Sequence, residues 1–135
     1  GSNVEDFFLN KLSISDHNSF DEIKDLKVSS HLYIKRNGEL VQFVPFNKRA
    51  WHAGESTYKG VSDCNNYSIG IELEGTDDDF YTADQYDTLI EVTKGVINNY
   101  PLINKDSIVG HSDVSPGRKT DPGTKLDWDR FLEAL

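Results

Sequence analysis

The length of 135 residues is the usual size of one compact domain, and the net charge of −9 argues against a surface that binds nucleic acid. No apolar run approaches the roughly 18 residues of a membrane span, so we expect no insertion into a bilayer. The single cysteine, Cys64, cannot form an internal disulfide, which favours a reducing compartment and predicts a cytoplasmic protein.

The first predicted elements are a short helix and a β-hairpin. Four apolar residues recur at near-helical spacing and predict an amphipathic helix that ends near Ser13: Val4, Phe7, Phe8 and Leu12. Residues 28 to 44 contain two β-rich runs. Between them, Asn37-Gly38 supplies the positive φ angles that a tight hairpin turn requires.

The alternating segment at residues 67 to 74 predicts a β-strand. Its two isoleucines and its leucine would face one side, and Gly70, Glu72 and Glu74 would face the other. A strand of this kind presents its carboxylates to one side of a sheet. We expect Gly70 to leave room beside Glu72.

Helical signals dominate the remainder of the chain. Thr82 followed by Gln85 forms a capping box, and an apolar stripe continues from there to Pro101. Residues 108 to 110 predict a short strand, and Asp127 is placed to cap a terminal helix. The whole pattern predicts a single α/β domain in which helices flank a central mixed β-sheet.

A polar loop at residues 110 to 123 follows the predicted short strand. Its prolines and glycines would bend the chain so that Lys119 and Asp121 return towards His111. Histidine and aspartate are common zinc ligands, and a nearby lysine stabilises negative charge on an attacked carbonyl. An ordinary Asp-Pro-Gly turn and a surface lysine remain open as alternatives at this point.

Five runs of the chain carry a family resemblance, and they occur in the family's order: residues 28–31, 37–39, 44–54, 68–77 and 118–123. They resemble the AmpD-like N-acetylmuramoyl-L-alanine amidases, whose superfamily includes phage T7 lysozyme and the peptidoglycan recognition proteins. The resemblance implies the α/β amidase fold of that superfamily. It also implies a cytoplasmic role in cell-wall recycling, with a small muropeptide as substrate.

The resemblance implies a zinc site made of two histidines and one aspartate. His111 matches the second histidine and Asp121 matches the aspartate, whereas the first histidine has no counterpart in this sequence. In the family that histidine lies on a strand before the first helix. We therefore expect residues 1–135 to be an N-terminally truncated amidase domain that binds zinc weakly and is inactive unless another group completes the site.

The same resemblance implies the catalytic pair. Glu72 matches the family's general base, and Lys119 matches the residue that stabilises the oxyanion electrostatically. Zinc would acidify a water molecule, Glu72 would accept its proton, and the amide between N-acetylmuramic acid and L-alanine would be cleaved.

Four further residues are predicted to contact substrate. We assign His31 and His52 to the substrate cleft or to packing, together with Trp51, whose flat apolar face suits a sugar or peptide. Lys27 stands where the family places an arginine against the diaminopimelate carboxylate, and lysine lacks the bidentate fork of arginine.

Two alternatives of a different class remain open. The first is a non-catalytic module that binds peptidoglycan without cutting it. The second is a cysteine amidase that uses Cys64 and a histidine, although Cys64 lies in a polar stretch without an evident activating group.

Overall fold

The computed structural model describes residues 30–135. The predicted helix from Val4 to Leu12 and the predicted substrate contact Lys27 lie outside the described residues. Within residues 30–135, none of the helices combines the length and the apolarity that a bilayer crossing requires.

A small mixed sheet lies at the centre of the described fold. Its strands are β1 (Leu32–Ile34), β2 (Leu40–Gln42) and β5 (Ile71–Leu73), in the order β2-β1-β5. Strand β1 pairs antiparallel with β2 and parallel with β5. The predicted mixed sheet and the predicted hairpin are therefore confirmed. Of the Asn37-Gly38 pair, which we predicted to supply positive φ angles, only Gly38 has one, at φ 85°.

A second hairpin was not predicted from the sequence. Strand β3 (Thr57–Tyr58) pairs antiparallel with β4 (Val61–Ser62). The two residues between them, Lys59 and Gly60, have φ angles of 49° and 82°, so both adopt the left-handed conformation of a tight hairpin turn.

The described helices are α1 (Ala83–Asn99), α2 (His111–Val114) and α3 (Trp128–Glu133), and two short 3₁₀ segments lie at Cys64–Asn66 and Lys105–Ser107. Helix α1 begins with the predicted capping box, and the Asp127 side chain caps α3 as predicted.

The predicted strand at residues 108 to 110 is wrong. The segment is extended, but within residues 30–135 no strand pairs with it, and helix α2 begins directly after it. An apolar run alone does not distinguish a paired strand from an extended segment that packs without a ladder. His111 therefore begins a helical turn instead of standing at the end of a strand.

The hydrophobic core joins the sheet to helices α1 and α3. Its buried members are Leu32, Ile34, Leu89, Val92 and Phe131. Burial of side chains of this size stabilises the fold by about 1.5–3 kcal/mol each. The core therefore packs β1 and its parallel neighbour β5, which carries Glu72, against helices α1 and α3.

One polar side chain of α1 also fastens the helix to the sheet. Gln85 is fully buried, and its amide nitrogen donates to the carbonyl oxygens of Ile34 (3.3 Å) and Glu74 (2.9 Å). Its amide oxygen accepts a hydrogen bond from the Thr82 backbone N–H at 3.0 Å. The first turn of the helix is thereby tied to the ends of two neighbouring strands.

Candidate active site

The loop after residue 110 brings His111 and Asp121 together. Nδ1 of His111 lies 3.1 Å from Oδ2 of Asp121. The Ser112 N–H, in the first turn of α2, donates to the backbone oxygen of Asp121 at 2.9 Å, which holds the aspartate beside the helix. The predicted convergence of these two side chains is present in the structure.

The hydrogen bonds of His111 identify which ring nitrogen carries a hydrogen. Nε2 lies 2.8 Å from the Ala53 carbonyl oxygen, and a carbonyl can only accept. Nε2 is therefore the donor. In the neutral ring the Nδ1 lone pair then points at the Asp121 carboxylate, so two acceptor atoms face each other at 3.1 Å, an arrangement that suits a metal ion between them.

The spacing of this pair fits a zinc ion. Two tetrahedral ligands at ordinary zinc distances lie about 3.3 Å apart, close to the separation in the structure. A backbone carbonyl that accepts from the other ring nitrogen is a common feature of zinc-binding histidines. Within residues 30–135, however, no group of three histidine, cysteine or carboxylate side chains is arranged to hold a metal ion. The described residues therefore fit two of the three protein ligands of a catalytic zinc.

Glu72 of strand β5 lies in the electrostatic field of this pair. Its pKa is raised above the ordinary glutamate value, mainly because burial penalises the carboxylate and also because Asp121 repels it. His111 and Lys119 act in the opposite direction and lower that pKa. The four residues predicted to carry zinc binding and catalysis are thus close enough to interact.

A cavity of about 400 Å³ adjoins these groups. Glu72, His111 and Asp121 line it together with His52, and the rest of its wall is largely apolar. Polar groups that converge in a mostly apolar cleft are typical of a small-molecule site.

His31 is a packing residue in this structure. It is 1% exposed, its Nδ1 accepts from the Gly70 N–H at 3.0 Å, and its Nε2 donates to the Lys48 carbonyl at 2.8 Å. Burial lowers its pKa. Both ring nitrogens are therefore used within the chain, which favours the packing alternative over contact with substrate.

His52 lies at the cleft and is also held in place. The Ser68 hydroxyl donates its one hydrogen to the Cys64 carbonyl at 2.5 Å. Towards His52, Oγ of Ser68 can therefore only accept, and Nε2 of His52 donates to it at 3.2 Å. Burial, followed by repulsion from His31 and other cationic groups, lowers the pKa of His52 to about 4. The ring lies directly against Gly70, so the space at that glycine, which we predicted for Glu72, is filled by His52.

Trp51 is 63% exposed, and the Arg49 guanidinium stacks over its ring at 3.8 Å. Neither Trp51 nor Lys119 lines the 400 Å³ cavity. The role of Trp51 in binding substrate stays a prediction.

The cysteine alternative gains no support from the surroundings of Cys64. The side chain is buried, and its sulfur lies 3.3 Å from the Tyr67 hydroxyl, which itself donates to the Val61 carbonyl. The thiol is therefore the donor to Tyr67, and a tyrosine hydroxyl is not the base that would activate it.

Sequence reasoning missed two polar residues that shape the site. Asn65 accepts a hydrogen bond from the Ala53 N–H, and Arg118 donates one to the Ala53 carbonyl. The same carbonyl orients His111. Asn65 follows the lone cysteine in a polar stretch, and Arg118 lies next to the predicted Lys119, but neither sequence position indicates a bond to a distant main chain.

Comparison with known proteins identifies the class of this α/β fold and site. A profile of the N-acetylmuramoyl-L-alanine amidase family matches residues 3–124. The chain therefore belongs to that family, and the predicted resemblance is confirmed. Two relatives are each named 1,6-anhydro-N-acetylmuramyl-L-alanine amidase AmpD. The one from Haemophilus influenzae is 49% identical and covers 100% of this chain and 73% of the relative. The one from Escherichia coli K12 is 52% identical and covers 95% and 69%.

Two solved structures of the same family also resemble this chain. The crystal structure of a selenomethionine derivative of AmpD is 47% identical, with a TM-score of 0.78, and the match covers 100% of this chain and 75% of that one. The complex of Escherichia coli AmiD with a muropeptide substrate is 32% identical, with a TM-score of 0.75 over 85% of this chain and 52% of AmiD. The chain is thus an AmpD-like member of the amidase family.

Proposed function

We propose that this chain hydrolyses the amide bond between N-acetylmuramic acid, or its 1,6-anhydro form, and L-alanine in peptidoglycan fragments, with zinc as its cofactor. The observation that carries the proposal is the His111–Asp121 pair, in which two acceptor atoms lie 3.1 Å apart and both residues act electrostatically on Glu72. The names of the AmpD relatives describe the same bond. The structure of AmiD holds anhydro-N-acetylmuramic acid-L-Ala-D-γ-Glu-L-Lys, which supports a soluble muropeptide as the substrate.

In this proposal His111 Nδ1 and Asp121 Oδ2 hold the zinc ion. Zinc at such a site supplies Lewis-acid chemistry, because it acidifies water and polarises the carbonyl of an amide. The Ala53 carbonyl keeps His111 in the tautomer whose Nδ1 can serve as a ligand.

Glu72 moves the proton. Its carboxylate accepts a proton from the attacking water and returns it to the departing alanine nitrogen as the carbon–nitrogen bond breaks. Because burial raises the pKa of Glu72, the carboxylate is a stronger base than that of an exposed glutamate. Lys119 contributes its ammonium charge, which stabilises the negative oxygen that develops on the attacked carbonyl.

We also propose a cytoplasmic role in cell-wall recycling, as the resemblance to the AmpD-like amidases implies, with a released fragment as substrate instead of the intact wall. The predicted truncation of the domain stays a prediction.

The proposal is tested by measuring metal content and turnover on the same preparations, with anhydromuramyl-tripeptide as substrate. Glu72→Ala is expected to retain zinc and lose turnover by about 10²- to 10⁴-fold, the range for a positioned general base. Asp121→Ala is expected to lose zinc first and activity with it. Lys119→Ala is expected to lower turnover more than substrate affinity. Glu39→Gln is the matched control, because this exposed carboxylate pairs with Lys35 across the hairpin turn and, among residues 30–135, with no other cation.

Three outcomes would contradict the assignment of roles or of function. Near-normal turnover in Glu72→Ala would remove the general base, and full zinc in Asp121→Ala would remove the ligand. Substrate binding by the zinc-loaded protein without any cleavage would support the non-catalytic binding module instead.

A further inference from the structure

A peptide segment outside the catalytic loop fixes the orientation of His111. The acceptor for His111 Nε2 is the carbonyl of Ala53, in the stretch that follows His52. We infer that Arg118 is a positioning residue for His111, because it holds this carbonyl in place without touching the imidazole. The inference rests on the proposed function only where it treats His111 as a metal ligand.

Arg118 donates hydrogen bonds to two carbonyl groups of the segment that follows His52. Its Nη2 donates to the oxygens of Ala53 (2.5 Å) and Glu55 (3.0 Å), and its Nε donates to Glu55 at 3.2 Å. The Ser115 hydroxyl also donates to the Glu55 oxygen, at 2.7 Å. A planar guanidinium that bonds the carbonyls of Ala53 and Glu55 together restricts their rotation in a way that a single ammonium cannot.

The bond to Ala53 is shared with His111. A carbonyl oxygen has two lone pairs, and here Arg118 Nη2 takes one while His111 Nε2 takes the other. The arginine therefore acts on the histidine through a common acceptor. If this carbonyl turned by a few tens of degrees, the His111 ring would follow it or lose its fixed tautomer.

Gly54, between the two gripped carbonyls, shows that the backbone is adapted to this contact. Its φ angle is 62°, and a Cβ added there would lie 2.8 Å from Nη2 of Arg118. A side chain at position 54 would thus displace the guanidinium, in addition to straining the left-handed backbone. The absence of a side chain lets Arg118 lie across the segment.

The opposite edge of the same segment is fixed by Asn65. Its Oδ1 accepts from the backbone N–H groups of His52 (3.1 Å) and Ala53 (2.7 Å), and the side chain is 4% exposed. The peptide groups around Ala53 are therefore held on their N–H side by a buried amide and on their carbonyl side by Arg118. Loss of Arg118 would free only the carbonyl side, so the effect should appear at His111 more than in overall folding.

The first experiment replaces Arg118 with lysine, which keeps the charge and loses the fork. Arg130→Lys is the matched control, because Arg130 stacks on Tyr86 at 4.1 Å and has no bond to the segment around Ala53. Arg118→Lys is expected to weaken zinc binding by about 10- to 100-fold, the usual effect of losing a partner outside the ligand set. The visible spectrum of bound cobalt should change with it, whereas Arg130→Lys should match the parent in both measurements.

A second pair of variants separates backbone strain from displacement of the guanidinium. Gly54→Ala and Gly60→Ala both place alanine at a positive φ angle, but a Cβ at Gly60 would have no atom of the described residues 30–135 within 4 Å. Both are expected to lose stability, and only Gly54→Ala is expected to reproduce the zinc defect of Arg118→Lys.

A measurement on the metal-free protein keeps this inference independent of zinc. Nitrogen-15 NMR of the His111 ring is expected to show hydrogen on Nε2 in the parent and a mixture of tautomers in Arg118→Lys. If the parent binds no zinc and the tautomer still shifts, the cofactor proposal fails and the positioning role stands. An unchanged tautomer in Arg118→Lys, together with parental zinc affinity wherever zinc binds, would overturn the inference.

Discussion

Replacing Gly70 with alanine should disturb the fold at one identifiable contact. A Cβ at this position would lie 2.6 Å from Nδ1 and 2.7 Å from Cδ2 of His52, closer than real side chains approach each other. The ring cannot withdraw easily, because Ser68 binds its Nε2 at 3.2 Å and the His31 ring lies edge-on at 5.7 Å. Forcing a methyl group into a packed site costs about 1–3 kcal/mol, and we expect the upper half of that range.

The assay is urea unfolding of four proteins at pH 7: the parent, Gly70→Ala, His52→Ala and the double variant. Without the His52 ring, the added methyl has room, so Gly70→Ala should cost less than about 0.5 kcal/mol in that background. The coupling free energy between the two substitutions should therefore be about 2 kcal/mol. Equal costs of Gly70→Ala in both backgrounds would refute the argument, because the strain would then arise from the backbone of residue 70 and not from the ring.

Three further predictions concern stability. The pKa of His52 is lowered from 6.5 to about 4 in the folded state, so the unfolded chain takes up a proton first as the pH falls. About 3 kcal/mol of the stability present above pH 6.5 should therefore be lost by pH 4. Urea unfolding across this pH range should show a smaller loss of stability in His52→Gln. The pKa of Glu72 is raised, so the folded state disfavours its carboxylate at neutral pH; Glu72→Gln should melt above the parent at pH 7, with the difference vanishing at acidic pH, and a lower melting temperature would contradict this. Thr82→Ala removes the cap that accepts from the Gln85 N–H at 3.1 Å and should cost about 0.5–2 kcal/mol in chemical unfolding.

Helix α1 illustrates what local sequence can predict. Its capping box and its apolar stripe are both determined by residues within the element, so the start at Ala83 and the end before Pro101 followed from the sequence. The β3–β4 hairpin had no such signal. Its turn places Lys59 at a positive φ angle, which a lysine disfavours by itself, so the pairing of the flanking residues must impose that conformation.

The candidate site divides in a similar way. The resemblance indicated Glu72, His111 and Asp121, since each is a side chain with a recognisable neighbourhood in the sequence. The Ala53 carbonyl that orients His111 could not be found in this manner, because every residue has a carbonyl and only the folded chain shows which one is used. Arg118 was missed for the same reason, since its partners are main-chain atoms more than 60 residues away.

The buried amide of Gln85 has a consequence for how the molecule opens. Because this side chain bonds to the carbonyls of both Ile34 and Glu74, the first turn of α1 cannot lift away without exposing the ends of β1 and β5 together. The helix start and the parallel strand pair should therefore exchange their amide hydrogens as one cooperative unit. Any opening that releases this unit also moves the strand that carries Glu72, so local unfolding of the helix start would disrupt the candidate site as well.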